Sequence, residues 1–559
     1  MTVSFPPGLI LIAGALLIPA VRGTARNAVV MALPLLTLAA VWMIPEGHSV
    51  AMPFLDYELL PVHWTRTGRV FATVFAITAF VGGIYAMGQA RALELAAAFA
   101  YAGSAVGVTL AGDLVTMLVF WELMAVGSTV VLWASDQPGA YAASMRYLLV
   151  HLFGGVVLMF GVVAHIGATG SVAFEPMRPD NLATAMILVG FLVNAGAPPL
   201  SAWIADAYPE ASPSGMVFLS AFTTKTAVFA LLMGFPGTQI LIWIGLYMAL
   251  YGIVYAVLEN DVRRILAYSI VNQVGFMVTA IGVGSELALN GAVAHAFGHI
   301  VYKALLLMSA GSVLYMTGKR KATELGGLFR TMPQTAIAGI IGALSISAFP
   351  FTSGFISKLM IKDATADAHL AVAWFVLAAA SAAAPLYVGL KFPWVTFFQK
   401  DSGLRPSEPP RTMLWPMWIF SVLCVGIGVV PGLLYGILPY PVDYHPYSAS
   451  HVLGQLQLLF LGALAFFLLL PAMKWRPTIS LDWDWFYRRF GTAAARELAL
   501  LVGTARNRFT GAVVQQVRSV IARLSRIHGP LGPLARSWPT GSMVLWVAIL
   551  LLASLVVYL

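Results

Sequence analysis

Apolar stretches of about 20 residues recur along this chain from Gly8 to Leu559. Each is long enough to cross a hydrocarbon core of about 30 Å as an α-helix. The chain of 559 residues is 60% hydrophobic and only 10% charged, with a mean hydropathy of +0.85, so its polar groups could not cover a soluble surface. A helix satisfies its own backbone hydrogen bonds, as lipid requires. The sequence therefore predicts an all-α polytopic membrane protein.

The apolar stretches predict about sixteen membrane-spanning helices. Their approximate positions are residues 7–22, 27–45, 67–88, 92–111, 113–134, 142–168, 181–208, 214–235, 238–258, 264–283, 287–317, 333–361, 369–398, 413–438, 451–471 and 541–559. The first stretch lacks the basic region of a cleavable signal, so we expect it to remain as a membrane helix. On these patterns the chain divides into N-terminal helices at 1–91, a first five-helix repeat at 92–235, a second repeat at 238–398, C-terminal helices at 399–471, a lateral segment at 472–540 and a final helix at 541–559.

Two of the predicted spans, the seventh and the twelfth, contain Gly and Pro near their middle. Such residues at membrane depth free backbone groups and mark cavities in transporters. The predicted helix-break and cavity residues are Asn194, Gly196, Pro198, Pro199, Pro350 and Gly354. The broken spans are five spans apart, and an odd separation reverses direction across the bilayer. Spans four to eight and nine to thirteen are therefore expected to form two inverted repeats.

The formal net charge of +9 indicates how the chain is oriented in the membrane, because Lys and Arg concentrate in alternate loops. Arg91, Arg263, Arg264 and Lys319 fall in one set of loops, and cytoplasmic loops are enriched in Lys and Arg. We therefore expect a multi-pass protein of the cell inner (plasma) membrane with its N-terminus on the non-cytoplasmic side. Binding to nucleic acid is not implied.

Motifs for bound cofactors are missing from the sequence. The single cysteine, Cys424, excludes an intrachain disulfide and a Cys-based iron–sulfur or zinc site built by this chain alone. The sequence also has no Walker phosphate loop, dinucleotide fingerprint or CxxCH haem site. We expect no cofactor and no metal, so energy must come from an ion gradient or from another protein of the same complex.

The composition changes in the lateral segment at 472–540. Apolar residues recur there at helical spacing between arginines, and they are Val513, Val517, Val520, Leu524 and Ile527. This pattern predicts an amphipathic helix on the cytoplasmic surface of the membrane, with a frayed linker as the alternative.

Seven ionisable residues fall inside apolar segments, where charge is costly and usually functional. They are Glu122, Lys225, His295, His299, Lys303, Lys358 and Lys391. Glu122 lies near the centre of the fifth span and Lys225 near the middle of the eighth. We expect reversible protonation at Lys225, with a snorkelling or structurally paired lysine as the alternative.

Three of these residues form a row. His295, His299 and Lys303 are spaced at i, i+4 and i+8, so they project from one helical face. Imidazoles beside a lysine are what a proton wire needs. Two histidines at i, i+4 can also bind a metal, but no nearby carboxylate completes that site. Lys358 is predicted to be an exit residue of the same wire, and Lys391 either belongs to it or anchors the helix at the interface.

These segments together resemble the antiporter-like membrane proteins shared by respiratory complex I (its L, M and N subunits) and by Mrp-type multisubunit cation/proton antiporters. The matching strings are Phe120-Trp-Glu-Leu-Met124, Trp203-Ile-Ala-Asp-Ala-Tyr208, Leu219 to Leu231, Asp261 to Gly275, His295 to Val313 and Leu344 to Lys358. The resemblance implies two half-channels in which Glu122, Lys225, Lys303 and Lys358 relay protons through waters. It also implies that the lateral helix ties neighbouring subunits together.

The chain departs from this family at its first broken helix. Asn194 stands where the family usually has a lysine, and Ser201 stands where a histidine is usual. An asparagine cannot stabilise a Glu122 anion by charge. The first half-channel is therefore expected to conduct differently or not at all.

The sequence favours a proton- and cation-translocating component of a multisubunit complex, most like the D subunit of an Mrp-type Na+/H+ antiporter. Its expected partners are other hydrophobic subunits, protons, Na+ and the lipid bilayer. One alternative is a proton-pumping component of a complex I-like oxidoreductase or a membrane-bound hydrogenase. A second alternative is a scaffold that no longer conducts.

Overall fold

The computed structural model describes residues 4–471, 482–530, 532, 533 and 535–559. These residues are mostly helical. The α-helical segments, in chain order, are α1 Gly8–Ala15, α2 Gly23–Met43, α3 Arg66–Ala86, α4 Ala92–Leu110, α5 Leu114–Trp133, α6 Ala140–Thr169, α7 Leu182–Ala195, α8 Ala202–Ala207, α9 Pro213–Ala221, α10 Thr223–Gly234, α11 Ile240–Leu258, α12 Val262–Val283, α13 Glu286–Thr317, α14 Pro333–Ile346, α15 Ser353–Asp367, α16 Ala371–Ala382, α17 Lys391–Pro393, α18 Arg411–Val429, α19 Gly432–Tyr435, α20 Ala449–Leu469, α21 Thr492–His528 and α22 Thr540–Tyr558.

Thirteen stretches of helix within the described residues are long and apolar enough to cross a membrane. This confirms the prediction of a polytopic, helical membrane protein. The difference from about sixteen lies in three places. The first predicted span contains only the eight-residue α1, and the two broken spans contain the shorter apolar helices α7 and α14.

A two-stranded antiparallel hairpin between α2 and α3 is the exception to the helical architecture. Its strands are β1 Ser49–Phe54 and β2 Tyr57–His63. The backbone N–H of Leu60 donates to Asp113 Oδ2 at 2.8 Å, and Asp113 also caps the N-terminus of α5. Hydropathy did not indicate this hairpin, because its strands are short and lie in a loop between two membrane helices.

Both predicted helix breaks are present, and each falls in the fourth element of its repeat. In the first repeat α7 ends at Ala195, Gly196 takes a φ of +77°, and α8 begins at Ala202. In the second repeat α14 ends at Ile346 and α15 begins at Ser353. The same position of the break in both halves agrees with the expected repeat.

The fifth element of each repeat is also interrupted, which the sequence pattern did not predict. In the first repeat the helix divides at Phe222 into α9 and α10. The backbone N–H of Thr223 donates there to the hydroxyl of Tyr101 at 2.8 Å, so a side chain supplies a bond that the helix lacks. In the second repeat π-helical turns at Pro385–Gly389 and Trp394–Phe398 flank α17.

The helices α12 and α13 form the centre of the bundle. Every residue in the most apolar part of α12 is buried. α12 packs against α11 and α13, and α13 in turn packs against helices of both repeats, including α9 and α15. Ionisable side chains on α13 are therefore held far from lipid.

Residues Trp485–Leu559 form a second compact unit. Within it, α21 is a continuous helix of 37 residues, and α22 is a further apolar helix of 19 residues. A long helix in this segment was predicted, although residues 472–481 at the start of the predicted lateral segment lie outside the described residues.

Candidate functional site

The predicted row on α13 is fully buried. His295, His299 and Lys303 each have 0% exposure and follow one another at successive turns of the same helix. The helix that carries them begins at Ser285, whose hydroxyl caps it by accepting from the N–H of Ala288. The row therefore sits in the interior of the bundle, as predicted.

The hydrogen bonds of the two histidines determine which nitrogens can accept a proton. His295 Nδ1 lies 3.0 Å from Ser357 Oγ, and that hydroxyl donates to the carbonyl of Ser353 at 3.0 Å. The direction of the bond between Ser357 and His295 depends on the tautomer of the imidazole, and the buried Nε2 of His295 has no partner among the described residues. Neither ring nitrogen of His299 has a partner within that part of the chain.

Lys303 and Lys358 of the second repeat donate to neutral oxygens. Lys303 Nζ donates to the carbonyl of Leu266 at 3.2 Å and to the hydroxyl of Ser269. Lys358 Nζ donates at 2.6 Å to the carbonyl of Ile346, which ends α14 at the helix break. The break thus supplies an unpaired helix carbonyl to the lysine.

Lys225 connects the two repeats. Its Nζ donates to the carbonyl of Ser220 at 2.7 Å and to Thr224 Oγ1 at 3.0 Å, on either side of the interruption between α9 and α10. The helices α9 and α10 on either side of this interruption both pack against α13, the helix of the row. Lys225 of the first repeat therefore belongs to helices that contact the helix carrying the basic row of the second repeat.

No carboxylate neutralises these lysines within the described residues. Lys225, Lys303 and Lys358 form no ion pair there, although each is buried. A buried charge without a partner is costly, whereas carbonyl and hydroxyl oxygens can hold an amine in either protonation state. This arrangement suits groups that gain and lose protons.

Glu122 lies apart from the row, at the contact between α5 and α6, and is half-buried. A β-carbon placed on Gly155 of α6 would collide with the carboxylate of Glu122. Gly155 therefore provides the space that this carboxylate occupies. α6, against which this carboxylate lies, packs in turn against α7 of the first broken helix.

Lys391 has a different environment. Its Nζ donates to the carbonyls of Ala256, Val257 and Glu259 at 2.9, 2.8 and 2.8 Å, and these groups lie at the C-terminus of α11. A cation at a helix C-terminus satisfies carbonyls that have no intrahelical partner. This geometry favours the anchoring alternative for Lys391.

The two helix breaks differ in the contacts that their residues make. At the first break Asn194 Oδ1 and Ser201 Oγ are buried without a partner among the described residues. The break is held by Trp203, whose Nε1 donates to the carbonyl of Val193 at 3.0 Å. At the second break a β-carbon on Gly354 would collide with the carbonyl of Ser345, so only glycine allows this close approach. Pro198, Pro199 and Pro350 lie in the breaks as predicted.

Glu94 and His151 are among the buried ionisable residues that the sequence analysis missed. Glu94 on α4 accepts from the hydroxyls of Ser212 and Ser214 at 2.7 and 2.5 Å. His151 on α6 is 2% exposed and packs against Trp203. A single His in an apolar helix gives no signal by itself, but comparison of the two repeats would have identified His151.

Similarity to known proteins extends over the segment that carries this geometry. Residues 111–384, about half of the chain, match the family model "NADH:quinone oxidoreductase/Mrp antiporter, TM". The chain is 29% identical over 364 residues to the A/B subunit of a probable K(+)/H(+) antiporter of Rhizobium meliloti, covering 60% of this chain and 36% of that protein. It is 30% identical over 275 residues to the D subunit of the Na(+)/H(+) antiporter of Alkalihalophilus pseudofirmus, covering 46% and 56%. The chain thus spans between about a third and about half of the length of these relatives.

Solved structures share the fold. A chain of the Mrp complex from Dietzia sp. superposes with a TM-score of 0.67 and 20% identity, covering 82% of this chain and 97% of that one. A chain of the membrane-bound sulfane sulfur reductase, an archaeal respiratory membrane complex, gives a TM-score of 0.72 and 21% identity, covering 99% of both chains. The resemblance inferred from the motifs is confirmed. The membrane domain formed by residues 111–384 belongs to the NADH:quinone oxidoreductase/Mrp antiporter transmembrane family.

Proposed function

We propose that this chain is the proton-translocating component of a multisubunit membrane complex that exchanges cytoplasmic cations for protons. The observation that carries the proposal is the buried set of Lys225, His295, His299, Lys303 and Lys358, which carries several exchangeable protons but no neutralising carboxylate within the described residues. Relatives with antiporter names, including the D subunit of a Na(+)/H(+) antiporter, support the cation-exchange assignment.

In this proposal protons enter and leave through groups at the edges of the row. Protons pass through Lys358, at the second helix break, on one side. They pass through Glu122, at the contact between α5 and α6, on the other. The N-terminus lies on the non-cytoplasmic side, as the distribution of Lys and Arg in the loops predicts. The partners are other hydrophobic subunits, and Na+ or another monovalent cation is the exchanged ion.

The test is cation-driven proton movement in everted membrane vesicles that contain the whole complex. Adding Na+ or K+ should dissipate a preformed pH gradient, and Lys303→Met should abolish this response at an unchanged level of assembled complex. An equal response from the Lys303→Met variant would contradict the proposal.

A second candidate is the role of a proton pump in a redox-driven complex. The observation that favours it is the fold match over 99% of this chain to a chain of the sulfane sulfur reductase, compared with 82% for the Mrp chain. A hydrogenase-4 component B of Escherichia coli is also 26% identical over 427 residues. Proton pumping that requires an electron donor and is independent of added cations would select this candidate. The scaffold alternative predicts neither cation-driven nor electron-driven proton movement.

A further inference from the structure

The two repeats share a short motif that contains a histidine in each. The third helix of the first repeat, α6, reads His151-Leu-Phe-Gly-Gly155-Val-Val, and the third helix of the second repeat, α13, reads His295-Ala-Phe-Gly-His299-Ile-Val. His151 thus occupies the position of His295. Gly155 occupies the position of His299, and the carboxylate of Glu122 lies beside it.

His151 resembles His295 in its hydrogen bonding, although its Nδ1 meets a backbone carbonyl rather than a serine hydroxyl. Nδ1 lies 2.9 Å from the carbonyl oxygen of Tyr147, and a carbonyl can only accept, so Nδ1 carries the proton. The buried Nε2 has no partner among the described residues. The imidazole ring is stacked on the ring of Tyr147, with their centroids 3.9 Å apart. Its centroid lies 4.6 Å from that of the Trp203 ring, and those two rings are nearly perpendicular. His151 is therefore held in one tautomer, with a proton-accepting nitrogen that this part of the chain leaves unbonded.

Other groups with exchangeable protons or unpaired oxygens lie beside the neighbouring turns of α6. Gly155 lies one helical turn from His151, about 6 Å along the axis, and it borders Glu122. A β-carbon on the adjacent Gly154 would lie 3.7 Å from Asn194 Oδ1, which is itself unpartnered within the described part of the chain. Tyr208, which packs near Tyr147, has a buried hydroxyl with no partner in the same described residues.

Hydroxyl groups lie between the α6 turn that holds His151 and Lys225. The hydroxyl of Tyr147 donates to Ser128 Oγ at 2.9 Å and lies 3.4 Å from Thr223 Oγ1. Thr224, the next residue, accepts from Lys225 Nζ at 3.0 Å. Hydroxyl groups therefore extend from Tyr147, one turn before His151 on α6, to the two threonines that precede Lys225.

We propose that His151 relays protons between Glu122 and Lys225, in place of the charged residue that is missing from the first helix break. The carboxyl group of Glu122 gives its proton to Nε2 of His151, leaving a carboxylate and an imidazolium. The imidazolium then releases a proton from Nε2 toward the amine of Lys225, which becomes an ammonium ion. The relay rests on the proposed function, because it has a role only in a chain that conducts protons.

The test compares two substitutions of His151 in the intact complex. His151→Asn retains an N–H that can donate to the carbonyl of Tyr147 but has no titratable nitrogen, whereas His151→Ala loses both. Both are expected to lower proton flux in vesicles at least about tenfold, as removal of a proton-transferring group does. His165→Asn, on the same helix but outside the cluster, is the matched control and should leave flux unchanged.

A second variant separates the relay from a packing role. Asn194→Lys places a titratable group at the first break, so flux should recover in the His151→Asn, Asn194→Lys double variant. Normal flux in His151→Asn, with loss in Glu122→Gln and Lys225→Met, would overturn the relay while the proposed function stands. Normal flux in all of these single variants would overturn both.

Discussion

The two repeats share the same order of helices but differ in the polar side chains that corresponding helices carry. In the second repeat His295, His299 and Lys303 form an unbroken buried row on α13. In the first repeat only His295 of that row has a counterpart on the corresponding helix, namely His151, and the helix break presents the neutral Asn194. Under the proposed function, the helix architecture thus sets where a proton path can run, whereas a few side chains decide how it is completed.

The largest effect is expected at the lysine whose helices join the first repeat to the row on α13. Lys225→Met should lower cation-driven proton flux on the order of 100-fold, because it removes the proton carrier through which the proposed path passes from the first repeat to that row. Flux in everted vesicles measures this, with Lys362→Met on α15 as a control for the loss of a half-buried lysine. Substantial flux without Lys225 would show that the halves work independently.

The next variants compare the halves directly. Lys303→Met interrupts the continuous row, whereas Glu122→Gln removes the group that feeds the first half. We expect losses of about 100-fold and about tenfold respectively, because Glu122 lies at the edge of the path and Lys303 lies within it. If Glu122→Gln had the larger effect in the same vesicle assay, the first half would be the main route.

A smaller effect is expected from crowding Glu122. Gly155→Ala adds a methyl group where the carboxylate lies, so the carboxylate must move away from α6. We expect a severalfold loss of flux, in line with the cost of misplacing a proton-transferring group. Gly167→Ala, on the same helix with open space around it, should leave flux unchanged. Equal flux in the two variants would show that the position of the Glu122 carboxylate beside Gly155 of α6 does not matter.

The smallest effect on flux is expected at Lys391, although its effect on stability should be clear. Lys391→Met leaves three carbonyls at the end of α11 without their donor, at a cost of about 1–3 kcal/mol. The melting temperature of the purified complex should fall by a few degrees. Flux for each assembled complex should stay within about twofold of the wild type if Lys391 is an anchor. A loss as large as that of Lys303→Met would place it in the relay.

The sequence predicted the helices and both breaks for physical reasons. Membrane helices are long and apolar, so hydropathy finds them, and Gly and Pro at their centres mark the two interruptions. The row on α13 was predicted because its three members come from one helix at constant spacing. The family resemblance followed from the same segments.

Features that depend on distant residues could not be predicted in this way. The interruption at Phe222 involves the hydroxyl of Tyr101, more than a hundred residues earlier in the chain. The partners of Lys391 belong to the end of another helix, so its sequence neighbours gave no indication of them. His151 gave a signal only through its counterpart in the second repeat.

The most direct test of the proposed proton path is a cryo-EM map of the intact complex at a resolution that shows ordered water. A connected path predicts waters within about 3 Å of Nε2 of His151 and of the nitrogens of His299, joined in a line past Lys225 to Lys303. Dry side-chain packing around each of these groups, with no connection between them, would contradict it.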